Sequence, residues 1–67
     1  MEINKGIEIL KELKAIGFSG RFTENIVSVR FPLNHTIDIR QLKSIVFRYE
    51  TKYYFHIKKN TMDLVIF

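Results

Sequence analysis

A small α+β fold is what this 67-residue sequence predicts: one antiparallel sheet with helices on one face, in the order α-β-β-α-β-β. Three observations predict it. Residues 3–16 repeat apolar side chains at helical spacing and stop at a glycine. Residues 27–31, 53–58 and 62–67 alternate at the strand period of two. The last two runs are joined by Lys59-Asn60-Thr61, too short for anything but a hairpin. The length supports a single domain over residues 1–67.

Ile3, Ile7, Leu10, Leu13 and then Ile16 or Ala15 form the expected apolar stripe of the first helix. Glu8, Lys11, Glu12 and Lys14 lie largely off it. Gly6 costs about 1 kcal/mol relative to Ala inside a helix. Gly17 then fits the left-handed position after the helix end. Phe18 and Leu13 supply the apolar pair of a Schellman ending.

Phe18, Gly20 and Phe22 form a short strand, and Thr23-Glu24-Asn25 turns the chain, Asn25 tolerating left-handed backbone. Val27, Val29 and Phe31 alternate with Ser28, Arg30 and Pro32. Pro32 has no N–H for a ladder bond, so the strand ends there or lies at an edge. Leu33-Asn34-His35-Thr36 reads as a connection.

Residues 38–49 carry two signals. Ile39, Leu42, Ile45, Val46 and Tyr49 make a helical face, with Asp38 or Thr36 as its cap. Ser44 to Tyr49 also has strand composition. The helical reading is the heavier. The other would fuse Ile45 to Ile57 into one long or bent strand.

The segment Arg48–Lys59 gathers all three tyrosines, Phe55, His56 and four basic residues. With Val27, Val29, Phe31, Tyr53, Phe55, Ile57, Met62, Leu64 and Ile66 turned to the helices, the other face carries Arg30, Tyr54, His56 and Lys58. Asp63, Val65 and Phe67 share that face. It has two readings. Rings and cations on an open sheet stack on bases and neutralise phosphates, which makes Arg30, Tyr54, His56, Lys58 and the adjacent Lys59 a candidate nucleic-acid surface. Equally, a contiguous apolar patch marks an interface, which makes Tyr54, Val65 and Phe67 a candidate contact with a second copy or a protein partner.

The net charge is +4 and the excess lies in the second half. Residues 1–33 carry five Lys/Arg against four Glu; residues 34–67 carry six against three acids. A basic balance fits nucleic acid but is mild here. There is no cysteine, hence no disulfide and no thiolate ligand, which fits a cytoplasmic setting. No apolar run approaches the ~20 residues of a membrane span, and Glu2, Glu8 and Glu12 interrupt any signal-peptide core.

No nucleophile elbow or phosphate-binding glycine loop is written in the chain. His35 with Asp38 is the only close pair of metal-type ligands, too few for a metal site. The expectation is therefore a non-enzymatic module without metal, cofactor or small-molecule substrate. It acts as a homodimer on a protein partner, with nucleic-acid binding as the alternative. Self-association is the remaining way for so short a chain to add buried area.

Overall fold

A computed structural model describes residues 1–32 and 39–67 of the chain. The elements are α1 (Ile3–Ala15), β1 (Gly20–Thr23), β2 (Ile26–Pro32), α2 (Ile39–Arg48), β3 (Tyr53–Ile57) and β4 (Thr61–Ile66). This is the α-β-β-α-β-β order expected, and the helical reading of the second half is the one realised. The expected connection through His35, and the Thr36 or Asp38 cap, lie outside the described residues.

Both helices end on left-handed residues. Gly17 has φ +96°, the Phe18 N–H donates to the Leu13 carbonyl at 2.8 Å, and the Gly17 N–H donates to Lys14 at 3.0 Å. That is the Schellman pair of bonds anticipated from Gly17 and Phe18. The end of α2 repeats it without a glycine. Glu50 has φ +55°, the Thr51 N–H donates to Val46 and the Glu50 N–H to Phe47, both at 3.1 Å. The Thr51 hydroxyl donates to the same Val46 carbonyl at 2.9 Å.

The β1–β2 connection has Glu24 and Asn25 both at positive φ, 51° and 66°. A two-residue loop of that kind matches the right-handed twist of the strands it joins. It sets Arg21 opposite Ser28 and Phe22 opposite Val27.

All neighbouring strands are antiparallel, in the order β1-β2-β4-β3. The strand following α2 therefore lies at an edge. The final strand inserts between it and β2. Pro32 closes β2 beyond the reach of β1, so its missing N–H interrupts no ladder there.

The core lies between the sheet and both helices. Ile9, Leu13, Leu42, Ile45 and Val46 meet Val27, Val29, Phe31, Leu64 and Ile66. Tyr53, Phe55 and Met62 pack partly against this cluster, while Phe18 and Phe31 bring their ring centroids to 6.1 Å. Glu12 and Arg48 pair across the two helices.

Two core expectations need correction. Ile3 and Ile7 are exposed, and the buried line of α1 is Gly6, Ile9 and Leu13. The reason is Gly6: a Cβ there would stand 2.6 Å from Phe22 Cε1, so the bare backbone turns toward that ring. Glycine contributes nothing to an apolar count, yet it permits the closest approach. Ile57 is 66% exposed rather than core. It ends an edge strand and has a strand neighbour on one side only.

Candidate interaction face on the sheet

Because helices cover one side of the sheet, alternate residues of all four strands are left on the other. The register arranges them in rows. Arg21, Ser28, Val65 and Tyr54 run across β1, β2, β4 and β3. Arg30, Asp63 and His56 form the next row. Thr23 and Ile26 lie on the other side of the first row, and the β3–β4 ladder continues to Lys52 and Phe67 through a mutual pair of backbone bonds, 2.8 and 2.9 Å.

One half of this face is aromatic. The Tyr54 and Phe67 rings meet edge-on, with centroids 5.8 Å apart at 62°. They are 51% and 46% exposed. Val65 faces Tyr54 across the strands and lies two residues before Phe67. It is only 8% exposed although it belongs to no part of the core beneath the helices. The three candidate interface residues thus come together as one patch. Tyr54 and Phe67 also gain the edge-on contact favoured by aromatic quadrupoles.

The other half is ionic. Arg30 Nε donates to Asp63 Oδ1 at 3.0 Å, and Lys58 Nζ lies 3.2 Å from Asp63 Oδ2. The Arg30 hydrogen bond is the main reason the Asp63 carboxyl is held below the usual carboxylate range; Lys58 adds to it and burial opposes it. Asp63 is therefore the shared counter-ion of two residues first picked out as phosphate contacts. With Asp63 itself at its border, Ser19, Gly20, Arg21, Ser28, Val29 and Arg30 line a shallow depression of about 340 Å³ between β1 and β2.

Arg30, Tyr54, His56 and Lys58 share the face as expected. Lys59 stands in the β3–β4 turn, off the strands. Sequence reasoning placed Asp63 outward but did not make it the partner of Arg30 and Lys58. It missed Arg21 and Ser28 as cross-strand neighbours. The Glu24-Asn25 loop was the available signal, because a two-residue hairpin pairs Thr23 with Ile26 and hence Arg21 with Ser28.

Among the described residues no helix is long and apolar enough to cross a membrane. Nor do three or more His, Cys, Asp or Glu side chains gather there in a way that would hold a metal ion. No protein-family model, curated protein or solved structure matches the chain.

Proposed function

We propose that this chain is a small non-catalytic interaction module that pairs with a second copy through the open sheet face and acts on a protein partner. The observation that carries the reading is the patch of Tyr54, Val65 and Phe67 on the side of the sheet that no helix covers. Large exposed aromatics on an uncovered sheet face are the kind of anchor that interfaces use.

The magnitude is instructive. A half-exposed ring leaves on the order of 100 Å² accessible, taking 150–250 Å² for full burial. Two rings from each of two copies give about 400 Å², or roughly 10 kcal/mol of gross transfer energy at 25 cal/mol per Å². Association itself costs about 4–15 kcal/mol. Four strands at ~4.8 Å spacing and ~3.4 Å rise make a face of about 20 by 20 Å, small for a stable interface. The pairing this supports is weak, with a Kd of some tens of micromolar at the tightest, and suited to a reversible module.

The nucleic-acid reading draws less support. Arg30 and Lys58 share Asp63, so these two cations bring one net positive charge to the face. The Tyr54 ring is engaged by Phe67. The absence of cysteine supports a reducing compartment, the cytoplasm, as the place of action.

Light scattering over a concentration series tests the proposal. The chain of 8.0 kDa should approach twice that mass at high concentration. Phe67→Glu, which places a charge in the centre of the patch, should remain monomeric. A monomer at every concentration, or a dimer indifferent to Phe67→Glu, rejects pairing through this face. An oligonucleotide that binds at low salt and is released by salt would favour the nucleic-acid reading instead.

A further inference from the structure

We propose that the depression between β1 and β2 is a binding site for the doubly charged phosphate group of a phosphate monoester. Its ligands are the guanidinium groups of Arg21 and Arg30 and the hydroxyls of Ser19 and Ser28. It lies on the same face as the aromatic patch but at the opposite edge of the sheet, and the inference does not depend on pairing.

The lining carries the argument. Two arginines and two serines, all able to donate hydrogen bonds, border one depression of about 340 Å³ together with the Asp63 carboxylate, which Arg30 engages. Arginine presents a planar fork that matches the oxygens of a phosphate group. Arg21 is exposed and has no ion-pair partner among the described residues, so its donors are free. Arg30 gives Nε to Asp63 Oδ1 at 3.0 Å and stays 63% exposed. Asp63 therefore occupies one edge of that guanidinium and steadies it, while the terminal nitrogens remain for another acceptor. Steadying the side chain beforehand lowers the entropy lost on binding.

Charge selects the ligand class. The lining itself, Arg21 and Arg30 against Asp63, carries one net positive charge, and Lys58, on the far side of Asp63, adds a second nearby. A phosphate monoester carries about −1.5 to −2 at neutral pH. A phosphodiester carries one charge per phosphate, which makes a monoester the better match. The volume stands at the low end of ligand pockets, about 300–1,000 Å³. It suits one phosphorylated group rather than a length of polymer. The donors are side chains on two neighbouring strands and the residue just before β1, not a glycine-rich loop or helix N-terminus, so no contiguous motif announces the site.

Amide NMR of the full chain, titrated with inorganic phosphate at constant ionic strength, tests it. Saturable shifts should concentrate at Ser19, Gly20, Arg21 and Ser28, with a dissociation constant in the millimolar range. Arg21→Ala should weaken binding by about tenfold while leaving the remaining spectrum in place. Lowering the pH below the second ionisation of a monoester, about 6, should weaken binding of a phosphoserine peptide. Phe67→Glu should bind phosphate as the parent does, even where it abolishes pairing, so failure of the dimer and failure of this site read out separately. A phosphoserine peptide that binds more tightly than free phosphate would assign the group to a phosphorylated protein; equal binding would assign it to a small molecule. Shifts that do not saturate, or that Arg21→Ala leaves unchanged, overturn the proposal. So does tighter binding of a single-stranded oligonucleotide than of either monoester probe.

Discussion

Replacing Gly6 by alanine should destabilise the protein, although helix propensity alone says the opposite. In a helix interior the change gains about 1 kcal/mol. Here the added Cβ would stand 2.6, 2.7 and 2.9 Å from Cε1, Cδ1 and Cζ of the Phe22 ring. Such separations require something to move. Either the ring leaves its place against the core, or α1 lifts away from β1. Overpacking of this kind costs about 1–3 kcal/mol. Subtracting the propensity gain leaves a net loss on the order of 1 kcal/mol. For a domain of this size that lowers the melting temperature by about 4–8 °C. The decisive assay is a double-mutant cycle followed by urea or thermal unfolding. Phe22→Val keeps a strand-forming side chain at the position but removes all three clashing atoms. In that background Gly6→Ala should stabilise the protein, by up to about 1 kcal/mol. The sign of one substitution thus inverts with its neighbour, a coupling that only contact explains. If Gly6→Ala stabilises both backgrounds alike, α1 does not lie on Phe22 as described and the assigned burial of the helix is wrong.

Two further outcomes follow from the same geometry. Glu50 caps α2 at φ +55°, where a residue with a Cβ is strained, so Glu50→Gly should raise stability by about 0.5–1 kcal/mol in thermal unfolding; a decrease would show that this turn is not left-handed. Asp63 has a folded-state pKa below its unfolded value, so its contribution is complete above the unfolded value of about 3.9 and disappears as pH falls through the lowered one. Its partners are well exposed, which limits the effect to about 1 kcal/mol or less. Asp63→Asn should lower stability slightly at neutral pH and flatten the acid limb of a stability–pH curve; an unchanged acid limb would show that the Arg30 and Lys58 contacts contribute nothing.

Local chemistry settled much of this protein within the chain itself. The Gly17–Phe18 ending, the alternation of Val27, Val29 and Phe31, and the apolar line of Leu42, Ile45 and Val46 each arise from neighbours a few residues apart. Periodicity and turn preference act over that range, so the element order was readable. Gathering Tyr54, Val65 and Phe67 on one face also needed only the period of two. What the sequence did not contain was the identity of cross-strand partners distant in the chain. The insertion of β4 between β2 and β3 puts Asp63 beside Arg30 on one strand and close to Lys58 near the end of the other. The Glu24-Asn25 hairpin puts Arg21 opposite Ser28, next to that group. Pairings such as Arg30 with Asp63 join residues far apart in the chain, and they depend on which edges meet when the core closes. The buried side of α1 is of the same kind: no count of apolar residues favours Gly6, and only the ring of Phe22 arriving from β1 makes an absent side chain the point of contact.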